Sequence, residues 1–429
     1  MNCYSIGLDL GTSSVKGVLL SENKEVVYSA SREFEYGQSY LPDGAEYLGI
    51  NLDKFYSAIC TVIRELSEKA PNGAEFLGLA MASASGNAVL CDKEGRALID
   101  GYSWLNRAFI EEIEEFFGKG FGADVREISG WPLAYSFALG QLAHLKCHSP
   151  ELISRAEKIC MTTEYVLHRL TGEWGIDVST ATPSNLFNQK ARKWNEDYLK
   201  VLGIPEEKLP PIYESGALLG KIKESAARDT GLPVGTNVYL GSFDHPSAAR
   251  ACNTKEEGDL LISCGTSWVC FFPVNGREKI ISNEFLSDPF LSPGGPWGAM
   301  TSLARASEKI KEVVEKYISD GDDKFKLLDE CVMHAGDGEC ELSFNPCQEI
   351  PDLSAYSKES VAKALMQGIA HALKDSLKGC IEIKRVSMCG GPSSSKMWQK
   401  ILSEVFEAPL TVTYGAYSGA VGAALWSFK

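Results

Sequence analysis

Apolar and polar positions divide the chain into strands and helices that alternate from one end to the other. The run IGLDLGTSSVKGVLL reads as two apolar strands, Tyr4–Leu10 and Val15–Leu20, interrupted by Asp9, Gly11, Thr12, Ser13, Ser14 and Lys16. Left unpaired in a core, such groups would cost about 1–3 kcal/mol for each hydrogen-bonding group, and more for a charge. The segment is therefore either an edge hairpin washed by solvent or the lining of a site for something polar. A further strand is expected at Glu25–Ala30, and Leu52, Phe55, Ile59, Val62, Ile63 and Leu66 then recur at helical spacing. FLGLAMASASGNAVLCDKEGRALI reads as strand, small-residue loop and strand, with a turn at Asp92–Gly95. IEEIEEFFGKG reads as a surface helix stopped by Gly118, and Phe137–Lys146 and Thr163–Leu170 as helices, the latter closed by Gly172.

From Trp194 to Gly235 the chain is turn-rich, with Pro205, Pro210, Pro211 and Pro233. NVYLGSFDHPSAARACN follows as strand, polar tip and helix. The opening pattern then returns: strand Asp259–Ser263, turn Gly265-Thr266-Ser267, strand Trp268–Phe272. Two hairpins bent around Gly-Thr-Ser, one early in each half, point to a duplicated domain plan. Helices are expected near Ala306–Tyr317 and Lys358–Lys378, and a strand at Ile381–Met388. That strand leads to Gly390 and Gly391 at a strand-to-helix corner, where missing side chains let a ligand approach the backbone. A last strand, Leu410–Tyr414, enters the small-residue helix of SGAVGAALWSF. Regular alternation makes the class α/β.

A chain of 429 residues exceeds one comfortable core, so two large domains are expected. A net charge of −15 leaves no basic stripe for nucleic acid or an anionic membrane. It does not exclude a phosphorylated small molecule, which backbone N–H groups and a metal can hold. The 13 cysteines include no C-x-x-C pair, and no run approaches the ~18 apolar residues of a membrane span. With a strand starting at once and no signal-type apolar segment before it, reduced thiols and a cytoplasmic location are expected.

Three glycine-bearing strand ends remain to be explained together. Gly11, Thr12 and Ser13, then Gly265, Thr266 and Ser267, then Gly390 and Gly391 could cradle a polyphosphate through backbone N–H groups and hydroxyls. Asp9 would hold Mg²⁺ through water, and Lys16 would add a point charge.

In their order along the chain, GLDLGTSSVK, LTGE…DVSTAT, GLPVGTNVYLGSFD, LISCGTS and CGGPSSSKMWQKILSEVF…GAVGAA resemble the FGGY carbohydrate kinases, over Ile6–Ala424. The resemblance implies two actin-like (ribonuclease H-like) α/β domains with a central cleft. Residues 1–244 would carry the sugar side and the first hairpin, and 245–429 the second hairpin and the adenosine site. It implies transfer of the γ-phosphoryl of MgATP to a hydroxyl of a small sugar or polyol, a ketopentose such as xylulose leading, with a homodimer as the expected assembly. Asp244 would be the catalytic base, beside the metal with Asp9; Gly390, Gly391 and Ser395 would lie along adenosine, with Gly419 near the nucleobase. Sugar contacts map to Ser85, Asn87, Trp104, Asn106 and His245. The Ser83–Asn87 loop carries neither the Gln-Met-His-Gly of xylulokinases nor the Arg-Glu of glycerol kinases. The family's Trp-Asn-Asp stretch is Trp104-Leu105-Asn106 here, and LSFNPCQEI replaces its Gly-Glu-Arg loop, so the acceptor stays open.

Other readings compete. An actin-like nucleotide switch would keep the phosphate hairpins but need no base, and an inactive sugar-binding protein could dispense with Asp9 or Asp244. Asp244 also suits a helix N-cap, Trp104 a core, and Lys16 a solvated surface, while Asp177 reads as a loop acid bonding local backbone. His144, Cys147 and His148 in HLKCH have metal-like spacing on a helix face, yet a basic cluster before Ser149-Pro150 also fits a helix C-terminus.

Overall fold

The computed structural model describes residues 3–289, 295–336 and 340–428. They form two compact units. One draws on Met1–Ser247, Leu286–Gly295 and Gly419–Lys429, the other on Ala248–Phe285 and Pro296–Ser418. The sequence reading breaks the chain at 244/245, whereas the first unit also takes in Leu286–Gly295 and Gly419–Lys429.

In the first unit, strands Cys3–Leu10 and Ser14–Ser21 pair antiparallel, with Asp9 opposite Lys16, and Val26–Glu33 continues that ladder. On its other side Cys3–Leu10 pairs parallel with Glu75–Ser83, which pairs parallel with Asn237–Phe243; Leu218–Lys221 closes the sheet. The opening strand is thus interior, and the edge-hairpin reading fails. Ile6, Leu8, Val15 and Leu19 are fully buried, and the polar residues gather at the hairpin tip. Helix Leu52–Glu68 is capped by the Asn51 side chain and buries Phe55, Ile59, Val62, Ile63 and Leu66. Full burial of each such side chain contributes about 1.5–3 kcal/mol.

Between Ser83 and Asn237 the chain builds a second core around Phe109, Ile113, Leu139, Leu142, Phe187 and Trp194. The expected surface helix, Ile110–Phe117, is only partly one, because Glu112 and Ile113 are buried. The stretch read as turns holds two short helices, Glu196–Leu202 and Glu224–Thr230.

In the second unit, Asp259–Cys264, Trp268–Val274 and Trp297–Leu303 run antiparallel; Arg385–Gly390 pairs parallel with the first of them and Leu410–Val412 with Arg385–Gly390. Numbering these five strands in chain order, they lie 3-2-1-4-5, the order that Cys3–Leu10 and its neighbours follow in the first unit. The repeat seen as two Gly-Thr-Ser turns is therefore a repeat of sheet topology. Helices Ala306–Tyr317, Lys324–His334 and Lys358–Ser376 lie between the third and fourth strands; the middle one was not expected, and the fourth strand starts at Arg385 rather than Ile381. Among the described residues no helix is long and apolar enough to cross a membrane.

Candidate active site

Three parallel strands of the first unit end at one level, where Leu10 lies beside Ser83 and Ser83 beside Phe243. Asp9 stands one residue before the first of these ends and Asp244 one residue past the third, two strand spacings away, or roughly 10 Å. Open α/β sheets bind ligands at this carboxyl edge. Burial pushes the Asp9 carboxyl up to about 7; the negative charge of Asp244 adds to the rise and Lys16 opposes it. Burial also raises Asp244, against His245 and the hydrogen bond from its backbone. The Asp244 side chain is 26% exposed, its Oδ1 accepts the His245 N–H at 2.7 Å, and His245 Nε2 lies 3.7 Å from the same oxygen. A helix begins at Asp244, which places its carboxylate in the first turn.

The backbone under Asp244 is held by a relay that sequence reasoning missed. Phe243 N–H donates to Ser179 Oγ at 3.1 Å, and Ser179 Oγ donates to Asp288 Oδ2 at 2.6 Å, both groups buried. Asp177 fixes this turn from below: its Oδ1 accepts from Ser179 N, Thr180 N and Ser215 Oγ. An acid ahead of Ser-Thr announces such a cap, as the local reading of Asp177 held. Nothing local announces Asp288, 109 residues from its partner.

Gly419 lies against Asp9: a Cβ there would come 2.7 Å from Asp9 Cγ and overlap the carboxylate. Ser247 Oγ donates to the Gly419 carbonyl at 2.8 Å. Lys16, across the ladder from Asp9, is half-buried.

The expected sugar residues fall into two groups. Trp104 and His245 are the ends of one aromatic series: Trp104–Phe137 (6.1 Å), Phe137–Trp131 (6.3 Å), Trp131–Phe243 (5.6 Å) and Phe243–His245 (5.5 Å). The Trp104 indole N–H is buried and has no hydrogen-bond partner among the described residues. The others are tied to the framework. Ser85 Oγ donates to Thr180 O at 2.7 Å; Asn87 accepts Trp104 N–H and donates to Thr162 Oγ1. Asn106 uses its whole amide on backbone, donating to Leu48 O and Ser103 O and accepting from Leu48 N.

The two phosphate-type turns are each closed by a bond from their glycine, one residue longer in the first than in the second. Gly11 N–H donates to Ser14 O at 3.0 Å, and Gly265 N–H to Ser267 O at 3.2 Å. Ser13, Gly265 and Thr266 are exposed, Thr12 and Ser267 half-buried. In the second unit Cys264 and Gly390 are register partners, so the hairpin tip and the double-glycine corner share one sheet edge. Gly390 has φ +92°, and a Cβ on it would lie 2.8 Å from the Cys264 carbonyl carbon. Beside it Gly391 faces open space, with nothing within 4 Å of where a Cβ would be. Ser395 caps helix Lys396–Phe406, accepting Trp398 N–H at 3.1 Å and donating to Asp329 Oδ1 at 2.7 Å.

Comparison with known proteins gives this geometry a family. The N-terminal domain of the FGGY family of carbohydrate kinases matches residues 4–250. The gluconokinase of Bacillus subtilis is 24% identical, over 99% of this chain and 87% of that protein. The autoinducer-2 kinase of Klebsiella pneumoniae is also 24% identical, over 98% and 85%. A xylulose kinase structure from Rhodospirillum rubrum superposes with a TM-score of 0.84 at 21% identity, over 99% of this chain and 89% of that one, which shows the actin-like ATPase fold. With more than half of its length inside the family match, the chain belongs to the FGGY family of carbohydrate kinases and is a sugar-phosphorylating transferase.

Proposed function

We propose that the chain transfers the γ-phosphoryl of MgATP to a hydroxyl of a small sugar or polyol, with Asp244 as general base. The observation that carries this reading is Asp244 itself: a partly exposed carboxylate at the carboxyl edge of the sheet, held over the Phe243–Ser179–Asp288 relay and with a raised affinity for protons. A base with that bias sits nearer the working pH than an ordinary aspartate. Its Oδ1 accepts the His245 N–H, which leaves Oδ2 for the acceptor hydroxyl. The hydroxyl proton passes to Oδ2, the acceptor oxygen bonds to the γ-phosphorus, and the bond to the β-phosphate oxygen breaks to release ADP.

The first unit contributes Asp9 and Asp244, the charge of Asp244 raising the cost of ionising Asp9, an all-oxygen donor pair of the kind a hydrated divalent cation relieves. Bound there, Mg²⁺ supplies neutralisation of the polyphosphate charge. Gly11, Thr12, Ser13 and Lys16 in that unit serve phosphate oxygens, as do Gly265, Thr266, Ser267, Gly390 and Gly391 in the second. Ser395 supports the nucleotide corner by capping its helix, and Gly419 by leaving room for Asp9. For the acceptor, Trp104 offers an apolar face and an unused N–H, with Ser85, Asn87 and Asn106 fixing the loop around it and His245 at the far end of the aromatic series.

Relatives named for gluconate, autoinducer-2 and xylulose support a small polyhydroxylated acceptor, and ketopentoses stand first among those to test. The test is ADP release across ketopentoses, ketohexoses, aldoses, gluconate and polyols. At least one acceptor accelerates ADP release, and Asp244→Asn loses about 10²–10⁴-fold in kcat while keeping the KM for ATP. Either no response to any acceptor or near-wild-type turnover by Asp244→Asn overturns the reading.

A further inference from the structure

We propose that His144, His148 and Glu112 form a binding site for one divalent transition-metal ion, best matched by Zn²⁺ and separate from the phosphoryl-transfer groups. His144 and His148 lie one turn apart on helix Ala138–His148, their rings 4.6 Å between centroids. Glu112 reaches them from helix Ile110–Phe117, and one ligand atom from each of the three lies within 4.8 Å of the other two. Two imidazoles and one carboxylate, with room for water in a fourth position, are a donor set that suits zinc and its borderline neighbours rather than magnesium.

The surroundings strengthen the case. Metal-bound histidines characteristically donate their other ring N–H to an oxygen that fixes the ring. Here His148 Nδ1 lies 2.8 Å from Asp43 Oδ2, and His144 Nδ1 lies 2.9 Å from the Tyr102 hydroxyl. A metal on Nε2 of each ring selects the tautomer in which both Nδ1–H groups donate. Arg107 forks across Glu112, Nη2 donating to Oε1 and Nη1 to Oε2 at 3.4 Å, so a metal would share Oε2 with the longer of these two bonds. His148 is 35% exposed in its side chain and gives the ion a way in. The HLKCH spacing pointed to Cys147 as the third ligand. Its Sγ instead lies 3.3 Å from Glu115 Oε2, and Glu112 takes that place.

Such an ion would clamp two helices together. The same helix carries Gln141, whose Nε2 donates to the Gly86 carbonyl in the Ser83–Asn87 loop, so the clamp stiffens the support of that loop.

The test is calorimetric titration of chelator-stripped, full-length protein with Zn²⁺, and absorbance with Co²⁺. One equivalent binds and raises the thermal midpoint, and Co²⁺ gives visible ligand-field bands. His148→Ala and Asp43→Ala, both at exposed positions, keep the wild-type circular dichroism and weaken Zn²⁺ binding by about 10–100-fold, while Cys147→Ser leaves it unchanged. Absence of stoichiometric binding, or equal affinity in wild type and both weakened variants, overturns the site.

Discussion

The carboxylate of Asp9 lies against the α-carbon of Gly419, so closely that one methyl group there would overlap it. These residues are 410 positions apart, and their contact fixes where the Asp9 charge can sit. Gly419→Ala is expected to swing the carboxylate away and lower kcat/KM by on the order of 10²-fold, the scale of an ångström's misplacement at a reacting centre. Steady-state kinetics and a thermal melt together check this: an active variant contradicts the prediction, and so does one that simply unfolds.

The pH dependence follows from the proton affinity of Asp9. Its value of about 7 in the folded protein exceeds the ordinary 3.8, so folding stability from this group is complete below about pH 4 and is lost as the pH rises through 7. Asp9→Asn escapes that loss. Without metal, its midpoint should exceed the wild type at pH 8 and match it at pH 4, while phosphoryl transfer is lost at both. In the wild type, kcat should rise with pH as Asp244, whose proton affinity burial raises, gives up its proton. A midpoint that falls on substitution at pH 8 would reverse the argument.

Gly390 and Gly391 are neighbours with different tasks, and alanine separates them. Gly390→Ala places a side chain at φ +92° and onto the Cys264 carbonyl, costing about 1–3 kcal/mol of backbone strain and lowering the thermal midpoint. Gly391→Ala meets no atom of the described residues beyond its chain neighbours, so the midpoint should hold. A methyl in space assigned to nucleotide should still raise the KM for ATP about tenfold, or 1.4 kcal/mol. Identical behaviour of the two variants would remove the assignment.

Trp104→Phe removes an indole N–H that has no partner among the described residues while keeping a flat ring. Stability should be unchanged. If the acceptor takes that hydrogen bond, its KM should rise about 2–12-fold, the equivalent of 0.5–1.5 kcal/mol, with the KM for ATP unmoved. An unchanged acceptor KM would make Trp104 a packing residue.

What the sequence disclosed had local causes. Leu52 to Leu66 announce a helix because one face alone is buried, and each Gly-Thr-Ser turn announces a hairpin because its flanking strands are apolar. Helix Lys324–His334 escaped notice because only Leu328 and Val332 are buried in it, too faint a stripe to read. Glu112 was read as surface because it sits in a charged run, and its burial depends on partners brought from elsewhere. The same holds for the Phe243–Ser179–Asp288 relay and for Phe137 and Trp131 in the aromatic series: long-range closure creates them, and no spacing encodes it. The cap that Ser395 makes is legible locally, as a serine three residues before Trp398 at a helix start.

The first unit is stitched from distant parts of the chain, with Ser5 Oγ donating to the Ala424 carbonyl at 2.9 Å and Gly419 backing Asp9. During synthesis the ribosome must therefore deliver residues into the 420s before Asp9 finds its support. The other unit is encoded between these parts, so its residues emerge before the support of Asp9 is complete, and competence for chemistry must wait until both stretches of the first unit have been made.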